Sequence, residues 1–144
     1  MPRRSISRIV ENQDLLWTSP DSSVRDCARS MAERHVGAIV VLDGKELAGI
    51  FTERDLLQRV VAADLDPRVT TVSEVMSHDP VSINGMEAGI EAMRLMLEHN
   101  VRHIVITGVG ELGFAIISMR DFASGEVALF QRELEFQQKV WEEV

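Results

Sequence analysis

Apolar positions along the chain alternate between two rhythms. Val24, Cys27, Ala28 and Met31 step by 3, 1 and 3 residues, and Ile90, Met93, Met96 and Leu97 keep a helical step farther on. Each set predicts a helix with one buried face. Turn residues open both helices, Ser19-Pro20-Asp21-Ser22 in one case and Asn84-Gly85-Met86-Glu87 in the other. β-Branched runs follow, Val36 to Leu42 and Val101 to Thr107, and read as buried strands. The glycine-containing turns Asp43-Gly44-Lys45-Glu46 and Gly108-Val109-Gly110-Glu111 lead into second strands, Leu47 to Phe51 and Leu112 to Ile117. A second helix is expected to start near Thr52 and again near Ser118.

The two stretches are one unit written twice. At an offset of 96 − 31 = 65, Met31 falls on Met96, Val36 on Val101, Ile39 on Ile104, Val40 on Val105 and Glu46 on Glu111. At 120 − 54 = 66, Arg54-Asp55 falls on Arg120-Asp121, and Ile6 to Val10 falls on Val72 to Met76. Each copy reads strand–helix–strand–strand–helix, so the fold class expected is α/β (α+β). One copy, at roughly fifty residues, buries too little surface to be stable alone. The two are therefore expected to pack sheet to sheet with pseudo-twofold symmetry. The expected division is a first repeat over 5–62, a linker over 63–70 carrying Asp64, Asp66 and Pro67, a second repeat over 71–123, and a helical tail over 124–144. In the tail, Val127, Phe130, Leu134, Trp141 and Val144 step by 3, 4, 7 and 3, with Gln137 at the skipped position. That is an amphipathic helix whose stripe must be buried, either on its own domain or against a second copy.

Composition narrows the function. Of 144 residues, 45% are apolar and 26% charged, the balance of a folded soluble domain. The single cysteine, Cys27, excludes an intrachain disulfide and a cysteine-built zinc or iron–sulfur site. A net charge of −8 repels a polyphosphate backbone and argues against nucleic-acid binding. The longest apolar run, about Val36 to Leu42, is too short to cross a bilayer, and no apolar signal core follows Arg3, Arg4 and Arg8. The expectation is a cytoplasmic protein without a membrane partner. No nucleophile elbow, phosphate-binding loop or dinucleotide fingerprint occurs, so the chain is not expected to be an enzyme and no residue is assigned a catalytic role. His99 and His103 are four apart, but Asn100 is a helix stop between them, so no metal site is expected.

At this point the sequence resembles a tandem pair of CBS (cystathionine beta-synthase-type) domains, a Bateman module. In the first copy the carrying residues are Val36-Gly37-Ala38-Ile39-Val40-Val41 and Gly49-Ile50-Phe51-Thr52-Glu53-Arg54-Asp55. In the second they are Glu74-Val75-Met76, Val101-Arg102-His103-Ile104-Val105-Ile106 and Ile117-Ser118-Met119-Arg120-Asp121. The resemblance implies a regulatory, signal-sensing module that binds an adenosine-containing ligand, AMP or ATP, in clefts between the repeats. It also implies pairing into flat homodimers. No output domain accompanies the repeats, so an effector on a separate protein is expected, and no cofactor is required. The family's Gly-h-x-Thr/Ser-x-x-Asp pattern places Thr52, Arg54 and Asp55 at one site and Ser118, Arg120 and Asp121 at the other. The aspartates would hold ribose hydroxyls. Ala115 departs from the pattern where glycine is expected. Rival implications are a ligand-free structural or adaptor dimer and a sensor of S-adenosylmethionine or NAD(H).

Two local readings stay open. Thr52 to Asp55 and Ser118 to Asp121 also have the form of helix caps, a use compatible with ligand contact. Arg102-His103 is either a phosphate-neutralising pair or a solvated strand edge. Copy one has Gly37-Ala38 at those positions, so the two sites are expected to be unequal, one competent and one weak or empty.

Overall fold

The computed structural model describes residues 4–142. The chain divides into two compact units, Asp14–Pro80 and a split unit made of the described residues up to Gln13 and from Val81 onward. The first element, α1 (Ile6–Ile9), belongs to the split unit: Ile6 N–H donates to Glu87 O (2.9 Å), Ser7 N–H to Gly85 O (2.8 Å), and Ser5 bridges Ala88.

The Asp14–Pro80 unit holds β1 (Trp17–Thr18), α2 (Val24–Arg34), β2 (Ala38–Asp43), β3 (Glu46–Thr52), the short α3 (Glu53–Asp55) running into a π-helical turn over Leu56–Val61, α4 (Val72–Val75) and β4 (Ser77–His78). Its sheet runs β1-β2-β3-β4, with β1 parallel to β2 and the other pairs antiparallel. Ser23 caps α2 by accepting from Asp26 N–H (3.1 Å), and His35 closes the helix in a left-handed turn. Of the face that the spacing predicts, the helix leaves Ala28 half-buried and buries Val24, Cys27 and Met31. These pack with Ile39, Val41 and Phe51 of the sheet and with Val72 and Val75 of α4. Burial pushes the Cys27 thiol up to about 11, and the Asp26 carboxylate adds to the shift, so Cys27 serves as a small inert core residue.

The split unit continues with β5 (Ser82–Asn84), α5 (Gly89–His99), β6 (His103–Thr107), β7 (Phe114–Ser118), a single 3-10 turn over Met119–Asp121, and α6 (Ser124–Glu142). Its sheet runs β5-β6-β7. α5 buries Ile90, Ala92, Met93 and Met96, whereas Leu97, assigned to that face from spacing, is 58% exposed. Asn100 ends α5 in the left-handed conformation, so His99 and His103 lie on different elements, as the sequence indicates. The helix expected at Ser118 is interrupted. Phe122 is extended after the 3-10 turn and its ring is buried, which breaks the helical run before α6 begins.

The leading segment of each repeat contributes to the core of the other. Ile6 and Val10 of the first copy are buried with α5, while Val72 and Val75 of the second are buried with α2. The bridges Ser5 to Ala88 and Ser23 to Thr71 are related by the same offsets as the sequence repeat, 71 − 5 = 66 and 88 − 23 = 65.

α6 packs on its own unit through the first half of its stripe. Phe130 is buried, its ring edge-on to Phe122 at 5.8 Å, with Val127 and Leu134 beside it. Gln137 accepts from Arg94 Nη2 of α5 (3.3 Å). Trp141 is 81% exposed, so the stripe outruns its docking surface, and Val144 lies outside the described residues. Leu129, Phe136 and Val140 form a second exposed line along the helix.

Arg4 forks onto Glu126 in the first turn of α6 and ties the leading segment to that helix. The guanidinium's hydrogen bonds hold the Glu126 carboxyl below the usual glutamate range, reinforced by Ala123 N–H. A depressed carboxyl contributes stability above its unfolded pKa and loses it as pH falls through the folded value. An Arg4→Met chain is therefore expected to melt earlier than the parent at neutral pH. The gap should close under acid conditions below the depressed Glu126 value; a constant gap in melting curves would assign the effect to packing of the arginine stem.

Candidate functional site

The two β-hairpins end in the same local device. In the Asp14–Pro80 unit, β3 stops at Thr52, whose Oγ1 accepts from Asp55 N–H (3.2 Å) while Asp55 Oδ2 accepts from Thr52 N–H (3.1 Å). In the split unit, Ser118 ends β7 and Asp121 Oδ2 accepts from Ser118 N–H (2.7 Å). Both Thr/Ser-x-x-Asp segments are thus capping boxes.

Strand register decides what stands beside each device. His103 is paired with Ser118 across β6 and β7. His103, the first residue of β6, and Arg102 just before it therefore lie against the turn that carries Arg120 and Asp121. Arg102, Arg120 and Asp121 are exposed, and His103 and Ser118 half-buried. In the other unit Ala38 pairs with Thr52, and Gly37 O accepts from Glu53 N–H (3.0 Å). A Cβ at Gly37 would meet the Glu53 carboxylate at 3.1 Å. Copy two has Met119 where copy one has Glu53, so an arginine there meets no carboxylate at the first position of the turn. The residues expected at the second site, Arg102, His103, Ser118, Arg120 and Asp121, are brought to one end of one sheet. Thr52, Arg54 and Asp55 sit together at the corresponding end of the other sheet without a basic pair opposite.

The two aspartates differ in their surroundings. Asp55 is 5% exposed. Ser77 Oγ, at the start of β4, donates to both of its oxygens, at 3.1 and 3.3 Å. Arg59 Nε lies 3.6 Å from Oδ1, one turn along, and Arg59 Nη1 donates to Met76 O (2.9 Å). Asp121 is exposed, and its cap bonds from Ser118 N–H and Oγ (3.3 Å) both fall on Oδ2. At offset 66 the counterparts of Ser77 and Arg59 are Glu11 and Gly125. A carboxylate cannot donate and a glycine carries no cation.

Sequence reasoning missed Ser77 and Arg59 because neither lies in the repeated motif. The mismatches Ser77/Glu11 and Arg59/Gly125 were the available signal. The motif glycine also has a local explanation. A Cβ at Gly49 would stand 2.6 Å from Ser77 O and 2.8 Å from Met76 Sδ, because β4 runs directly alongside. Ala115 takes this place in the second copy, where no strand among the described residues flanks β7 on that side. There the Gln13 side chain meets the Ile116 backbone in both directions, accepting at 2.8 Å and donating at 2.7 Å.

No group of three His, Cys, Asp or Glu side chains placed to hold a metal ion occurs among the described residues. No helix among them is long and apolar enough to cross a membrane.

Comparison with known proteins agrees with this architecture. The family model described as CBS domain matches twice, at residues 6–62 and 72–125. The chain is 32% identical over 126 residues to the mitochondrial CBS domain-containing protein CBSX3 of Arabidopsis thaliana, covering 83% of this chain and 60% of that protein. It spans 18% of the length of a further relative from the same plant, CBSCBSPB2. A solved structure from Burkholderia ambifaria, described as a signal-transduction protein with CBS domains, superposes with a TM-score of 0.74 at 28% identity, covering 82% of this chain and 90% of that one. A CBS domain protein of Pyrobaculum aerophilum complexed with AMP superposes with a TM-score of 0.76 at 23% identity, covering 90% of this chain and 99% of that one.

Proposed function

This chain belongs to the CBS-domain family, and from that premise we propose that it is a regulatory module that binds an adenosine-containing ligand, AMP or ATP, and passes its state to a separate effector protein as a homodimer. The observation that carries the reading is the exposed Asp121 carboxylate, held by its cap at the end of β7 beside Arg102, His103 and Arg120. A ribose cis-diol offers two donors to such a carboxylate. A phosphate finds a guanidinium fork in Arg102 or Arg120. The AMP complex of the archaeal fold neighbour supports the ligand class. Thr52, Arg54 and Asp55 form the second, weaker candidate set. Ligand can signal only by binding two arrangements of the module with different affinity. For the homodimer, the exposed line Leu129, Phe136 and Val140 is the contact we favour.

Titration calorimetry with AMP, ATP, NADH and S-adenosylmethionine tests the ligand class. Asp121→Asn keeps the shape and removes the charge. It is expected to weaken AMP binding about 10–100-fold, the loss of a charge-assisted hydrogen-bond pair. Unchanged affinity in Asp121→Asn would remove Asp121 from the site, and silence across the whole panel would leave the ligand-free adaptor.

A further inference from the structure

We propose that Ser77 is a built-in stand-in for a ligand hydroxyl and keeps the Asp55 site closed, leaving Asp121 as the single working ribose acceptor of the resting chain. The inference rests on the nucleotide reading above. The contact itself is the argument. One hydroxyl donates to both oxygens of one carboxylate, at 3.1 and 3.3 Å, from a strand fixed by its own backbone pairing to Ile50. This is the interaction a sugar hydroxyl would make. Thr52 N–H and the Arg59 guanidinium supply the remaining partners, so Asp55 is satisfied from within the chain at 5% exposure. A ligand would have to displace Ser77 before it gained anything, and the exchange of one hydroxyl for another is close to neutral.

The placement of Ser77 is built into the fold. β4 lies against β3 because Gly49 has no side chain; a Cβ there would collide with Ser77 O at 2.6 Å. The glycine of the repeated motif thus admits the strand that delivers the hydroxyl. In the other copy all three parts are replaced together: Ala115 for Gly49, Glu11 for Ser77 and Gly125 for Arg59. Asp121 is exposed and accepts only from its own cap among the bonds described above. One sequence change could then turn the closed site into an open one.

The test is AMP calorimetry on the full chain. The parent is expected to bind one AMP per chain, with the affinity of that event lowered about 10–100-fold in Asp121→Asn. Ser77→Ala should show a second binding event, bringing the stoichiometry to two, and adding Asp55→Asn to Ser77→Ala should abolish that event alone. Ser77→Cys, a near-isostere with a weaker donor, serves if the alanine chain does not fold and should also reveal the second event. Stoichiometry that stays at one in Ser77→Ala and Ser77→Cys overturns the stand-in while the nucleotide reading survives. So does a parent that already binds two with one event dependent on Asp55. Silence in every titration overturns both.

Discussion

Phe130→Ala is expected to cost about 3–5 kcal/mol, the cost of emptying a buried aromatic site. Phe130 is 1% exposed and shares its core with Ile90, Met93, Ile117 and Phe122. Its edge-on contact with Phe122 adds an aromatic pairing worth about 0.5–1.5 kcal/mol, within that total. The loss has a structural consequence. Phe130 is the one fully buried side chain among the described residues of α6, with Val127 and Leu134 only partly covered. Once Phe130 is gone, the helix is held by those two flanking contacts, the Arg4–Glu126 pair and the Arg94–Gln137 bond. Urea melts should show a lowered midpoint, and helical signal should decline before the main transition. Met86→Ala, in the same unit and outside the favoured dimer contact, is the control. At 85% exposure it should change stability by no more than about 0.5 kcal/mol. Similar small losses in both variants would mean that α6 does not dock through Phe130.

The same helix shows how far the sequence can be read. The a/d spacing placed Val127, Phe130 and Leu134 on one face, and they are the residues that pack. Nothing in a periodicity says how long the receiving surface is, so Trp141 falls on the same stripe and remains 81% exposed. Likewise the match of Ile6 to Val10 with Val72 to Met76 marks a repeated segment without naming what it packs on. In the fold it joins the core of the second copy while Val72 and Val75 join that of the first. The interrupted helix after Ser118 was hidden for a related reason. Ser118-Met119-Arg120-Asp121 is a sound helix start, but burial of the Phe122 ring wins over continuation of the helix. For the candidate site, the duplicated Thr/Ser-x-x-Asp motif located both capping boxes. It carried no information about Ser77, which reaches Asp55 from 22 residues away.

That inequality between two copies of one motif leads to the second large effect. Asp55→Ala is expected to destabilise the chain by about 2–4 kcal/mol, against about 0.5–2 kcal/mol for Asp121→Ala. Both substitutions remove the carboxylate half of a capping box and leave a backbone N–H, of Thr52 or Ser118, without its side-chain acceptor. For the exposed Asp121, water takes over at little further cost. For Asp55 the consequences accumulate. The Ser77 hydroxyl loses the acceptor it shares between two oxygens, and the Arg59 guanidinium loses its only carboxylate in the ion pairs described here. Arg59 is half-exposed, at 51% for its side chain, so water screens that part of the loss. The remainder comes from stranding half-buried donors at the seam where α3, β3 and β4 meet. Asp55→Asn should recover part of the difference, because an amide oxygen can still accept from Thr52 N–H or Ser77. Chemical denaturation of the three variants under one buffer gives the comparison. Equal losses for Asp55→Ala and Asp121→Ala would mean that the Ser77 and Arg59 contacts add nothing beyond the cap, and the physical basis for treating the two sites as unequal would go with them.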